Sequence, residues 1–205
     1  MFLKILAHPI FANLNYHMPM IVDLSHPIVM LEGENGSGKS TLLHSIHYAL
    51  KGEQVDGFVY RWVDEKGQAS DGPKPPKTYL FDAEAHNPRM QLEFFKDNPE
   101  MVEFLQMASH GQVMLAMFQE NFPGLPEGTY LLLDEPEMAL SQSNQRRILK
   151  MLFELADKKK FRIICATHSP ILINASETYV INLDRHQNKN VADMSMGVQG
   201  ASTIQ

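Results

Sequence analysis

The chain has 205 residues, 44% hydrophobic and 20% charged, which suits one α/β domain and excludes wholesale disorder. With 18 Lys and Arg against 24 Asp and Glu, its net charge of −6 has the wrong sign for sequence-independent coating of nucleic acid. The single cysteine excludes a disulfide framework, and no apolar run is long enough to span a bilayer. The amino end lacks a signal-peptide core, so the expectation is a soluble, cytoplasmic protein with no membrane partner.

Residues 2–7 read as a short strand ended by His8-Pro9. Residues 27–31 form an apolar, β-branched run closed by Glu32-Gly33, which predicts a buried strand. Apolar positions at Leu42, Leu43, Ile46, Ala49 and Leu50 give helical spacing over 39–50. From 51 to 77 Gly and Pro interrupt any long element, so this stretch is expected to be a disordered loop or a frayed hairpin around 58–63.

Residues 78–81 return to strand, and 88–105 read as helix in two pieces broken near Pro99. Ser109, with Gln112 three positions on, predicts a capping box that opens a helix over 109–122. Strands at 129–133, 161–166 and 178–183 alternate with an amphipathic helix at 143–158. Such alternation implies a mostly parallel sheet flanked by helices. The polar tail 185–205 has no periodicity and is expected to be flexible.

Three motifs carry chemistry. Gly33-Glu34-Asn35-Gly36-Ser37-Gly38-Lys39-Ser40-Thr41 has the G-x-x-x-x-G-K-S spacing between a strand and a helix. Its glycines let backbone N–H groups turn inward around phosphate oxygens, and the helix start adds its positive end. Lys39 would neutralise the β- and γ-phosphates, and the Ser40 hydroxyl would ligate Mg²⁺. Lys39 is expected to be solvated between ligands, so that its loss spares the fold.

The second motif is Asp134-Glu135 after the apolar run Tyr130-Leu131-Leu132-Leu133. Ligands of open α/β sheets sit at that carboxyl end. Asp134 would hold Mg²⁺, while Glu135 would point across the strand and polarise a water for in-line attack. The third is His168, in Ala166-Thr167-His168-Ser169-Pro170 at the end of the next strand. It is positioned to hydrogen-bond the γ-phosphate and the attacking water. The other eight histidines, His44 among them, carry no such signal.

With these motifs in this order, the chain resembles the ABC-type ATPases over about 2–184, and among them the compact stand-alone AAA-family heads related to RecF and SMC proteins. Ser109-His110-Gly111-Gln112 is similar to their signature motif, and Lys77-Thr78-Tyr79-Leu80-Phe81-Asp82-Ala83-Glu84 looks like the strand carrying the Q-loop, with Glu84 in the Q-loop place near Mg²⁺. The resemblance implies a P-loop NTPase domain over 1–184, with reduced antiparallel strands at its N-terminus and a small helical lobe at about 85–110. It also implies ATP and Mg²⁺ as cofactors. A head-to-tail homodimer follows, in which Ser109, Gly111 and Gln112 close the ATP site of the other protomer. The chain departs from the pattern at Ser141, where many relatives carry Asp, and Phe11 and Tyr16 suit packing better than adenine stacking.

Only 25 positions separate Glu84 from Ser109, which leaves no room for coiled-coil arms. The expected role is an ATP-driven switch for a protein effector, a nuclease or another enzyme, in DNA repair or anti-phage defence. The alternatives are a low-turnover nucleotide-binding scaffold and the ATPase subunit of a transporter. The basic runs Lys158-Lys159-Lys160 with Arg162, and Arg146-Arg147 with Lys150, read first as solvated helix ends and second as a DNA-facing patch.

Overall fold

A computed structural model describes residues 1–14, 16–75, 77–83, 100, 103 and 107–185. In chain order the elements are β1 (Phe2–Ala7), α1 (Pro9–Asn13), β2 (Met20–Asp23), β3 (Ile28–Glu32), α2 (Lys39–Lys51), β4 (Val59–Val63) and β5 (Thr78–Asp82). There follow α3 (His110–Asn121), β6 (Tyr130–Asp134), α4 (Gln142–Lys158), β7 (Arg162–Ala166), α5 (Pro170–Ile173) and β8 (Tyr179–Asn182).

Five strands form a parallel sheet in the order β5-β6-β7-β3-β8. Side chains alternate across each strand, so the apolar runs feed two cores. Val29, Leu31, Leu132, Ile164 and Ala166 face α1, α2 and the N-terminal strands. Ile28, Met30, Leu131, Leu133, Ile163 and Cys165 face Met114 and Phe118 of α3 and Ile148 and Leu152 of α4. Because both faces are covered, these strands are near-continuous hydrophobic runs. The mostly parallel, helix-flanked sheet is as expected, with boundaries one or two residues from those read in the sequence.

The second sheet, β2-β1-β4, is antiparallel. Of the two readings of 51–77 it bears out the hairpin around 58–63 and corrects the disordered loop: β4 runs along the whole of β1, and a bridge between Val63 and Ala69 closes the hairpin. The Asp64 carboxylate fixes its turn by accepting from the amides of Lys66 and Gln68 at 2.9 Å. Trp62 is 8% exposed, and a Cβ at Gly72 would lie 2.3 Å from its indole Nε1. The glycine and proline density there serves close packing and tight turns. Of the helical reading of 88–105 only Glu100 and Glu103 are described, both helical, and of the tail 185–205 only Arg185, which ends a 3-10 turn; the rest lies outside the described residues.

Candidate active site

The carboxyl ends of β3, β7 and β6 converge on one edge of the sheet, and each delivers one motif. After β3 the loop 33–38 turns into α2. Gly36 and Gly38 take φ of +78° and +89°, conformations that favour glycine. Gly38 has a second reason: a Cβ there would lie 2.9 Å from the Phe11 ring. Phe11 and Tyr16 are buried beneath the loop, and the Tyr16 hydroxyl donates to the Ser37 carbonyl. Both are packing residues.

Lys39 is not solvated. It is 5% exposed, and its Nζ donates to the Gly33 and Glu34 carbonyls at 3.0 Å. Burial lowers its pKa, against the pull of Glu135, Asp184, Asp134 and Glu137. A lysine folded over its own loop replaces the expected free one, and its stem is part of the packing. The Ser37 hydroxyl is buried without a hydrogen-bond partner among the described residues, a polar atom of the kind that a phosphate oxygen satisfies.

From the first turn of α2 the Ser40 hydroxyl donates to Asp134 Oδ1 at 3.1 Å. A hydroxyl beside a carboxylate is a hard oxygen set that suits Mg²⁺. Asp134 is 7% exposed; burial raises its pKa, and the Ser40 bond opposes the rise. Glu84, the other expected metal contact, lies outside the described residues.

Glu135 departs from its expected orientation. The strand ends at Asp134, and Glu135 adopts φ +46° while its N–H donates to the Ala166 carbonyl at 2.9 Å. Positive φ at a non-glycine residue is strained and clusters at functional sites. The turn sets the Glu135 carboxylate 3.6 Å from His168 Nε2, and each side chain is over a third exposed, at 38% and 37%. Glu137 holds the histidine loop: its Oε1 accepts from the amides of His168 at 2.6 Å and Ser169 at 3.1 Å.

Ser109 is the exposed N-cap of α3, with its hydroxyl accepting from the Gln112 amide at 3.2 Å and its own amide donating to Gln112 Oε1 at 2.6 Å. A Cβ at Gly111 would lie 2.9 Å from the Ala139 carbonyl. The start of α3 therefore packs on the backbone of the loop after β6. Ser141 caps α4.

A family described as "AAA domain" matches residues 13–83. Another, described as "AAA domain, putative AbiEii toxin, Type IV TA system", matches 114–174. Between them the two matches contain the phosphate loop, the acidic pair and the histidine. The zinc uptake system ATP-binding protein ZurA of Listeria innocua is 24% identical over 76% of this chain and 71% of its own length. The zinc import ATP-binding protein ZnuC 1 of Hahella chejuensis is 27% identical over 79% and 66%. In sequence the chain is similar to the ATP-binding proteins of the ABC type.

Solved structures share the ATPase fold. A nucleotide-free ATP-binding cassette from an ABC transporter covers 89% of this chain and 88% of its own, with TM-score 0.52 and 15% identity. The cassette MJ1267 in its ADP conformation covers 96% and 98%, with TM-score 0.51 and 14% identity. A shorter likeness, 38% over 55 residues, joins this ATPase to the OLD nuclease of Thermus scotoductus, covering 27% of this chain and 10% of the nuclease. No helix among the described residues is long and apolar enough to cross a membrane.

Sequence reasoning passed over four polar residues of the ATPase site. Glu137 directs the histidine loop, and Asp184 accepts from the Glu34 amide at 3.2 Å through both carboxylate oxygens. Asp82 ends β5 in register with Asp134, and His44 stands one helical turn beyond Ser40. A signal existed for the last two: i to i+4 spacing from Ser40 places His44 on the same face of α2, and Asp82 ends an apolar strand as Asp134 does. Asp184 is 150 residues from its partner and carries no local signal.

The two basic runs differ: Arg146, Arg147 and Lys150 are exposed on α4, with Arg147 donating to Asn144 Oδ1 at 3.4 Å, whereas Lys158–Arg162 is engaged within the chain. Lys159 Nζ donates to the Pro123 and Leu125 carbonyls, Lys160 pairs with Asp157, Lys158 with Glu154, and Arg162 donates to the Ser25 carbonyl.

Proposed function

We propose that two copies of this chain sandwich ATP, each phosphate loop being closed by Ser109, Gly111 and Gln112 of the other, and that the hydrolytic cycle switches a partner protein. Residues 35–41 cradle the phosphates, with Lys39 swinging from its loop carbonyls to the β- and γ-oxygens. Ser40 and Asp134 would hold Mg²⁺, which would neutralise charge on those oxygens. Glu135 takes the proton of a water aligned with the γ-phosphorus, and ADP leaves on the opposite side. His168 donates to the γ-phosphate and is held for that task by Glu137 through the loop amides.

The observation that carries the reading is the Glu135–His168 contact at 3.6 Å beside the Ser40–Asp134 bond. A scaffold that only bound nucleotide needs neither a strained acid nor a partnered histidine. The test is Glu135→Gln: Mg²⁺·ATP affinity is retained while turnover falls roughly 10²–10⁴-fold, the usual worth of a positioned base. Unchanged turnover refutes the assignment.

Action on a nuclease or another effector in DNA repair or defence is supported by the match over 114–174 and by the local likeness to the OLD nuclease. DNA itself is a secondary candidate partner, since Lys158–Arg162 is engaged within the chain and leaves only Arg146, Arg147 and Lys150 exposed for it. The relatives named for zinc uptake favour a second reading, the ATPase subunit of a transporter. Purification from the native host with Glu135→Gln and ATP separates the two: a soluble effector supports the first, an integral membrane protein the second.

A further inference from the structure

Magnesium bound through Ser40 and Asp134 needs only oxygen ligands, yet a nitrogen stands beside them. His44, Asp82 and Asp134 each present one ligand atom, and the three lie within 4.8 Å of one another. Three atoms so spaced share a centre about 2.8 Å from each at most, so small side-chain rotations bring all of them to the ~2.0–2.2 Å of a transition-metal bond. Each ligand comes from a different rigid element: α2, β5 and β6. Asp82 and Asp134 are held opposite each other by the strand register, and His44 is fixed one turn along α2 from Ser40.

None of the three is an exposed surface group: Asp134 is buried, and Asp82 and His44 are half-buried. Two carboxylates set together in a partly buried place repel each other, and a cation between them offsets that cost. The imidazole shifts the choice of cation. Sites made of oxygen alone suit Mg²⁺ and Ca²⁺, whereas imidazole with carboxylate suits Mn²⁺, Co²⁺ and Zn²⁺.

We propose that His44, Asp82 and Asp134 form a divalent transition-metal site that fills without nucleotide and shares Asp134 with the magnesium position. This assignment borders on the ATP-site reading but does not require it, because the ion is held by protein ligands alone.

The experiment titrates Co²⁺ into the nucleotide-free full chain, reading the visible d–d absorption and the heat of binding, with thermal melts to show that each variant is folded. One strong equivalent is expected. His44→Gln and Asp82→Asn should each weaken it at least tenfold, since disturbing even a ligand's supporting partner costs 10–100-fold. Lys39→Met, whose ammonium bonds the Gly33 and Glu34 carbonyls and none of the three ligands, should not weaken Co²⁺ binding while it weakens ATP binding, so a failure here and a failure of the ATP reading are distinguishable. Equal concentrations of Mg²⁺ should not displace the Co²⁺. No strong equivalent in the wild-type chain overturns the proposal. So does the same affinity in both folded site variants, which would place the ion on other histidines, and so does displacement by equimolar Mg²⁺.

Discussion

Replacing Lys39 separates what the loop lysine does for the fold from what it does for ATP. In Lys39→Ala three buried methylenes disappear, at ~0.8 kcal/mol each, so the stem alone is worth about 2 kcal/mol. For a domain of this size that corresponds to a melting temperature lower by roughly 4–8 °C. Lys39→Met keeps a chain of similar volume and removes only the ammonium. It loses the attraction of Glu135, Asp184, Asp134 and Glu137, yet no longer buries a charge whose desolvation outweighs that attraction. The Gly33 and Glu34 carbonyls lose their donor in both variants. In Lys39→Met the two lost charged hydrogen bonds are offset by the removed desolvation cost of the ammonium, so it should melt closer to wild type than Lys39→Ala does. Both variants should lose ATP affinity at least ~100-fold, since charged hydrogen bonds contribute ~1.5–3 kcal/mol each. Scanning calorimetry and nucleotide titration on the same samples read the two effects. Equal melting of Ala, Met and wild type refutes the packed stem, and undiminished ATP binding by a folded variant refutes the phosphate loop.

His168→Ala should slow hydrolysis and spare ATP binding, as single-turnover and equilibrium assays would show; loss of both in equal measure would make it a binding residue. Asp134 has a folded pKa raised by burial, so the folded state holds its proton more tightly than the unfolded chain and stability falls as pH rises from the ordinary value of 3.8 through the raised one. Asp134→Asn without metal or nucleotide should thus melt higher than wild type at neutral pH, with the advantage gone below pH 3.8; a lower melt at neutral pH contradicts the burial argument. Gly72→Ala drives a methyl into the Trp62 indole, costing roughly 1–3 kcal/mol as overpacking does and shifting the emission of the chain's one tryptophan. Unaltered emission and melting would mean that 51–77 is as loose as its composition suggests.

The central sheet was legible because its strands are buried on both faces and read as unbroken apolar runs, and the capping box at Ser109 was legible because it is local. β2 has four residues and β4 sits amid glycine and proline, so neither shows a period; their pairing with β1 is a tertiary event. At the site, residue types and order placed Lys39, Ser40, Asp134, Glu135 and His168 at one sheet edge. What stayed hidden depends on conformation: the positive φ that turns Glu135 toward His168, the folding of Lys39 onto its own loop, and the reach of Asp184 to Glu34.

The shared ATP site is tested most directly by mixing two inactive variants. Ser109→Arg keeps an intact phosphate loop but obstructs its partner's, and Lys39→Ala lacks the lysine but keeps Ser109. Each alone should hydrolyse little ATP. Combined in equal amounts, half of the dimers are mixed and each holds one intact site of two, so about a quarter of wild-type activity should return. Full activity in Ser109→Arg alone, or no recovery on mixing while sedimentation shows ATP-dependent mixed dimers, would contradict a site completed by the partner's Ser109.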